Sequence, residues 1–559
     1  MNHLKKYSLV LILVFSLLIG IFFRFYKLGI TPRGFYLDEA AMGYNAYSIL
    51  QTGKDEYGKA FPLIFRSFGD FKTPIYTYLI VPLIPVFGLS VLATRLPSAI
   101  FGALTLFVLF FLVKTLSPQK YAWSLSVISV LFLAISPWPI IFSRTAYETN
   151  VALFFLLLGT YLFVKALNKK WLFLPSSLAF TISFLAYHAE RLVAPVVLVA
   201  LIFHYRQIIF TNIKAKIFPI ALSIVVGLMI VTPTVLLMRT PGFLSRTTTL
   251  DIFSYSHQMP PGYVTPHTLF QKIINTPQLL SAKEFFSLYT SYFSPRYLFS
   301  IGDAGPRSSY PDLGTFFVWQ LPLYLVGLYF LIKDKKLSHL RYFVLVLLLS
   351  SPIPAALTSD PYTTIRSLPM VIPLVIILAI GSVKILEFTW PVFDKLKYVI
   401  IGILVIYSLS RMYLSIFYFN DYFRAQSWDY GWQTLINDFA DLDPSLPIVV
   451  DNSRGEPYIH LLFFLKYDPA AYQKDNFEVP LSEYYTNMHR NLTKHIGNIT
   501  VKGFEWGKDT DHIHQYIVSD GTTISDQQIE DHHMTKIDQV NFPNGNVAFE
   551  IIETNPKPQ

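Results

Sequence analysis

The chain has 559 residues, of which 53% are hydrophobic, 16% aromatic and only 14% charged, with a formal net charge of +9. A soluble globular protein carries about 25% charged residues, so this composition excludes an ordinary soluble enzyme and reads as a polytopic α-helical membrane protein. The absence of cysteine excludes disulfides and thiolate metal sites, and no basic run interleaved with aromatics marks a nucleic-acid partner.

A basic N-terminus, Met1 to Lys6, leads into the apolar run Tyr7–Phe25. No small-residue cleavage site follows, so the sequence predicts an uncleaved first span. Further runs fall at Leu96–Lys114, Tyr121–Phe142, Val151–Leu167, Trp171–Tyr187, Leu192–Phe203 and Ile217–Met238. Phe316–Ile332, Tyr342–Leu357, Leu368–Leu386 and Tyr398–Phe417 complete about eleven transmembrane helices. Pro74–Leu92 is also apolar but carries Pro74, Pro82 and Pro85, and prolines weaken a helix interior.

Charge decides whether that run crosses. If it stays interfacial or re-entrant, the lysines at 114, 120, 169, 170, 214, 216, 333, 335, 336, 384, 395 and 397 gather on one side. Positive charge marks the cytoplasmic loops, so the expected arrangement has the N-terminus inside and the C-terminus outside. Two polar parts then lie outside. Arg239–Tyr310 is a long loop with helix-like pieces at Pro266–Asn275 and Ser281–Phe293. Asn420–Gln559 reads as a small α/β domain, with strands at Leu446–Asp451, Ile499–Trp506, Gln515–Ser519 and Val547–Glu553 and a helix at Pro457–Tyr467. The chain divides accordingly into a transmembrane domain, residues 1–419, and the extracytoplasmic domain 420–559. The former includes a first outer loop, 26–95, and the long loop 239–310.

The first outer loop carries Asp38-Glu39 just past a membrane exit. Carboxylates near a bilayer are rare and often functional. Two readings stand open: Asp38 as a catalytic base, or an acidic pair at the start of an interfacial helix. The same outer face is expected to receive Asp70, Lys72, Arg95, Arg144, Glu148, His188, Arg191, Arg239, Asp303, Arg307 and Arg366. Arginines beside carboxylates suit a phosphate carried on a lipid, since guanidinium recognises phosphate bidentately and a carboxylate can take a proton from a hydroxyl. Against this, each arginine can be an interfacial anchor. His188 with Glu190 is too sparse for a metal site, and the histidines near Asp511 read as a solvated patch, so a divalent metal ion stays open.

Three stretches carry a resemblance: Asp38-Glu39-Ala40, Lys72-Thr73-Pro74-Ile75-Tyr76 and Ala93-Thr94-Arg95-Leu96-Pro97-Ser98-Ala99. Their order and spacing resemble the first outer loop of GT-C superfamily membrane glycosyltransferases, in particular protein O-mannosyltransferases and lipid A aminoarabinose transferases. The resemblance implies Asp38 as the catalytic carboxylate, Glu39 as the second acid of the motif and Arg95 as the arginine opening the second span. It also implies a polyprenyl-phosphate-linked sugar donor and an inverting transfer on the outer face, to a protein, lipid or glycan acceptor. Arg95, Arg191, Arg239 and Arg366 are then expected at the donor phosphate. Asp70, Lys72, Arg144, Glu148, His188, Asp303 and Arg307 are expected in acceptor or accessory places. The family's Pro-Pro is Thr73-Pro74 here, and only Arg239–Tyr310 stands where eukaryotic protein mannosyltransferases insert a large domain. Two rivals remain. A lipid or polysaccharide transporter would show charges within spans and a repeated half. A non-catalytic envelope-assembly protein would act through residues 420–559.

Overall fold

The computed structural model describes residues 3–211, 213–241, 268–269, 276–388, 396–453, 455–476, 480–486, 493–510 and 513–554. All of the expected helix at Pro266–Asn275 except residues 268–269, and Asp511, lie outside them. All eleven apolar runs are helical. Seven helices are long and apolar enough to cross a membrane: Tyr7–Phe25, Val91–Leu116, Thr149–Ala166, Ile213–Arg239, Lys335–Ala356, Leu368–Glu387 and Leu396–Phe423. The helices Ala122–Ala134 and Pro137–Ser143 meet at 61° and form a bent pair, a broken span or a re-entrant loop. Pro137 lacks the N–H that would continue the helix, and the residue before a proline avoids the α region; Ser136 is indeed extended. The remaining three runs form shorter helices, Lys170–Ala186, Glu190–His204 and Val318–Lys333. At 1.5 Å per residue these reach roughly 25 Å or less, short of a ~30 Å hydrocarbon core.

Residues Pro74–Phe87 are helical but broken, with a 3-10 turn at Val81–Leu83 between Pro74–Ile80 and Ile84–Phe87. Fourteen residues reach about 21 Å, too short for an upright crossing. The prolines at 82 and 85 account for the break, because each removes an i→i−4 bond.

The chain forms two compact units. The first contains Met1–Tyr26, Ser98–Arg239 and Leu244–Ser415. Its centre is the helix Val371–Glu387, where every residue from Val371 to Gly381 is buried. This helix meets Leu321–Lys333 at a contact only glycine permits. A Cβ at Gly327 would stand 1.9 Å from the Ile377 carbonyl oxygen, and one at Gly381 would stand 1.9 Å from that of Leu323. Small residues allow such backbone approach, and dispersion then holds the pair where lipid supplies no hydrophobic drive.

The second unit joins Lys27–Pro97 to Ile416–Gln559. The sequence reading divides the chain at 419/420; the compact unit starts at Ile416 and also takes in the loop Lys27–Pro97. Two sheets are present. β1 (Phe65–Ser67) and β2 (Asp70–Lys72) form a hairpin whose turn residues, Phe68 and Gly69, both have positive φ, as a two-residue type I′ turn requires. The larger sheet contains β3 (Ile448–Asp451), β4 (Lys494–Ile496), β5 (Ile499–Lys502), β6 (Tyr516–Ser519), β7 (Thr535–Asn541) and β8 (Val547–Glu553), in the order β4-β5-β3-β6-β8-β7. β3 runs parallel to β5 and β6, with Ile448 opposite Ile499 and Tyr516. The other pairings are antiparallel.

One apolar cluster unites Phe35, Ala40 and Tyr44 of the first loop with Ile448 and Val450 of β3 and with Ile459, Leu462 and Phe463 of the helix Tyr458–Phe464. The four strands and the helix read in the tail sequence all form. β4 and β7 are additional. β7 is an edge strand with mostly exposed residues, so it lacks the apolar alternation that marks a half-buried strand.

This shared core yields a prediction. The chain has no native cysteine, so single cysteines at the exposed positions Phe61 and Ile537 should react with a membrane-impermeant maleimide from the same side of sealed vesicles. Reaction from opposite sides would break the unit.

Candidate active site

The helix Leu37–Thr52 begins the site. Tyr36 is extended, and Asp38 and Glu39 occupy the first turn, where carboxylates favour the helix dipole. The two acids have different surroundings. Glu39 is buried and binds Arg95 bidentately, with Nε to Oε1 and Nη2 to Oε2 both 2.9 Å. Its Oε2 also accepts from the Tyr36 N–H at 3.3 Å, closing the start of the helix. Arg95 is fully buried. Beyond Glu39 it donates to the carbonyls of Pro32 at 3.1 Å, Gly34 at 2.7 Å and Leu28 at 3.5 Å. Its five N–H groups are thereby directed to this chain.

Asp38 is 27% exposed and pairs with Lys72, which is 11% exposed, at 2.8 Å. Lys72 ends β2, and strand alternation puts Asp70 on the same face two residues earlier. The loop thus brings Asp38, Lys72 and Asp70 to one hairpin and Glu39 to Arg95. The Asp38 carboxylate is half-exposed at a helix start, oriented by one ammonium group and free of backbone capping duty. A group so placed can accept a proton from an incoming hydroxyl.

Residues far along the chain hold this loop, and sequence reading did not nominate them. Asp429 Oδ2 accepts from the Leu37 N–H at 2.9 Å, one residue before Asp38. Asp421 accepts from the Thr31 hydroxyl and the Arg33 N–H, both at 3.0 Å. His460 lies 2.8 Å from the Phe35 carbonyl through Nε2 and stacks on Trp432 at 5.1 Å. Burial lowers its pKa to about 4, with the Phe35 bond acting against it. Gly34 has φ +102, and a Cβ there would stand 2.2 Å from the Trp428 carbonyl oxygen. The one available signal is Trp428-Asp429-Tyr430-Gly431, a turn-type stretch directly after the last span.

Below the helix, Asp55 is buried. Its Oδ1 accepts from the N–H groups of Tyr57 at 3.0 Å and Lys59 at 2.8 Å, and its Oδ2 accepts from the Tyr484 hydroxyl. Burial raises its pKa from 3.8 to about 6, and these bonds oppose the shift.

The other nominated residues belong to the membrane unit. Arg144 is fully buried and donates to the Phe23 carbonyl at 2.8 Å. Glu148 precedes the helix Thr149–Ala166. His188 and Arg191 flank Glu190, a buried residue whose two carboxylate oxygens have no hydrogen-bond partner among the described residues. Arg239 closes the turn after Ile213–Leu236. Asp303 joins two loops, accepting from the Thr364 N–H and hydroxyl and the Gly305 N–H, each at 2.7 Å. Burial raises its pKa, opposed by those bonds. Arg307 lies four residues on in the same loop and is half-buried. Arg366 binds Asp360 and the Thr358 hydroxyl, both at 2.8 Å. Among the described residues no group of three metal-capable side chains gathers.

The apolar helices define a class, a multi-pass membrane protein, with an acidic pair in the loop after the first span. A family described as dolichyl-phosphate-mannose-protein mannosyltransferase matches residues 71–236. That match covers less than a third of the chain. Among solved structures, ArnT from Cupriavidus metallidurans in the apo state is similar at 12% identity and TM-score 0.51, covering 100% of both chains. ArnT bound to undecaprenyl phosphate is similar at 13% identity and TM-score 0.50, covering 98% of this chain and 99% of that one. The archaeal oligosaccharyltransferase AglB from Archaeoglobus fulgidus, in complex with an inhibitory peptide and a dolichol-phosphate, shows 14% identity and TM-score 0.49. It covers 82% of this chain, which spans 64% of AglB's length. No curated protein matches in sequence.

Two predictions follow from the buried groups. Glu39→Ala leaves Arg95 charged and buried without its carboxylate, and breaking such a pair costs about 3–5 kcal/mol. Thermal unfolding of the purified variant should show that loss, and Arg95→Lys should not restore it because an ammonium lacks the planar fork. Asp55 holds its proton to about pH 6 when folded and to 3.8 when unfolded. Its contribution is therefore full below 3.8 and lost as pH rises through about 6. Asp55→Asn should flatten the fall in unfolding temperature across that window.

Proposed function

We propose that this protein is an integral membrane glycosyltransferase that moves a hexose or pentose from a polyprenyl-phosphate carrier to a hydroxyl on the outer face of the membrane. The acceptor is a protein, lipid or glycan. The observation that carries the reading is Asp38: a half-exposed carboxylate, oriented by Lys72, on a helix start that Glu39, Arg95 and Asp429 hold rigid. The undecaprenyl phosphate bound by ArnT supports a lipid-phosphate donor.

In this mechanism Asp38 takes the proton of the acceptor hydroxyl as its oxygen attacks the anomeric carbon. The bond from that carbon to the phosphate oxygen breaks on the opposite side, so configuration inverts. The electron pair leaves with the polyprenyl phosphate, whose growing charge guanidinium groups stabilise. Arg191, Arg239 and Arg366 are assigned to that phosphate. Arg366 would exchange Asp360 for the ligand. Arg95 and Glu39 act instead as positioning residues, since the arginine's donors are already used within the loop. Asp70 and Lys72 flank the acceptor, and Arg144, Glu148, His188, Asp303 and Arg307 serve as supports. The lysine distribution supports an N-terminus in the cytoplasm and residues 420–559 outside.

Asp38→Asn keeps the side chain's size and removes the base. Consumption of lipid-linked sugar by the purified variant in nanodiscs should fall at least ~100-fold, with expression and unfolding temperature retained. Undiminished turnover would defeat the assignment.

A further inference from the structure

The large sheet of the second unit has a feature the transfer reaction does not use. β3 lies between β5 and β6, and all three are parallel. The chain leaves β3 toward β5 and then crosses back to β6. Adjacent strands whose connections diverge leave a crevice beyond their carboxyl ends, where ligands of open α/β sheets bind. A crevice of about 820 Å³ opens there, lined by Val450 and Asp451 at the end of β3 and by Val518 and Ser519 at the end of β6. That volume lies within the range of small-molecule sites.

Two buried polar groups on its lining are unsatisfied. Ser519 is 2% exposed and His460 3% exposed, and neither Ser519 Oγ nor His460 Nδ1 has a hydrogen-bond partner among the described residues. Leaving a buried donor or acceptor unmade is costly. The charged lining is acidic, Asp429, Asp451, Glu456 and Asp520, and Gln426, Thr522 and Asn546 add neutral polar groups. Among the described residues no lysine or arginine lines the crevice, and His460 is neutral at physiological pH. A phosphate or carboxylate ligand would be repelled. Tyr430 and Phe542 add flat apolar walls. Carboxylates that accept from hydroxyls, beside aromatic surfaces that cover C–H faces, are the complement of an uncharged, hydroxyl-rich ring.

We propose that this crevice is a binding site for a neutral saccharide. Leu37 forms part of its edge, so the bound sugar stands at the start of the helix that carries Asp38. The sugar could be free or the glycosyl part of a lipid-linked molecule; its hydroxyl chemistry is shared, and the experiment separates the sources.

The full chain in nanodiscs is titrated with neutral gluco-, manno- and galacto-configured oligosaccharides, with the matching sugar 1-phosphates, and with a polyprenyl-phosphate sugar. Binding is read by saturation-transfer NMR and calorimetry. Neutral oligosaccharides are expected to bind, and sugar 1-phosphates more weakly. Asp451→Asn removes a carboxylate acceptor, and Thr522→Trp narrows the exposed lip; each is expected to raise the Kd about tenfold or more. Asp38→Asn should leave this binding intact, so that loss of transfer and loss of binding are separate results. Capture of the polyprenyl-phosphate sugar alone, sensitive to Asp451→Asn, assigns the crevice to the lipid-linked source. Stronger binding of sugar phosphates than of neutral sugars, binding indifferent to both crevice variants, binding lost in Asp38→Asn, or no binding by any probe would each overturn the proposal.

Discussion

The second unit depends on a buried ion pair. Glu39 and Arg95 meet in a two-bond fork, both bonds 2.9 Å. Removing two charges from water is expensive, and such a pair is tolerated only when geometry and further bonds compensate. Here the compensation comes from loop backbone. Arg95 uses its remaining donors on carbonyls at 28, 32 and 34, and Glu39 accepts from the N–H of residue 36. One guanidinium thereby fixes the path of the chain from its exit at the first span to the helix that presents Asp38. A hydrophobic substitute could fill the volume but could not hold four backbone segments at set angles.

This explains why neighbouring acids behave differently. Asp38 and Glu39 are one residue apart on a helix, so their side chains point about 100° apart around its axis. One faces the packed interior and becomes structural. The other faces the hairpin and stays accessible. The burial of Glu39 gives Asp38 a rigid mount.

The membrane part of the fold was legible because spans announce themselves through composition. Every apolar run became a helix, although three are too short to be counted by length alone. The acidic pair was also legible, since charge at that depth stands out. The division of labour within it was not, because it depends on which face of the helix meets Arg95. The partners of the loop were hidden for another reason. Asp421 and Asp429 look like ordinary turn acids, and nothing local shows that they contact residues 31 to 37. The tail's alternating strands were readable from buried β-branched runs, whereas the polar edge strand β7 was not. The sheet's crevice arises from the order of strands in space, and a linear sequence does not record that order.

The bonds from Asp421 and Asp429 to the first loop join residues 390 and 392 positions apart. During synthesis the loop is made early, and the segment that caps its helix emerges only after the last span. Until then the start of the helix lacks its acceptor for Leu37, and Gly34 lacks the backbone it rests against. The nascent chain therefore spends most of its translation with this helix unsecured. The start of that helix gains these bonds only once the chain has been made through Asp429, so products ending earlier leave it without them.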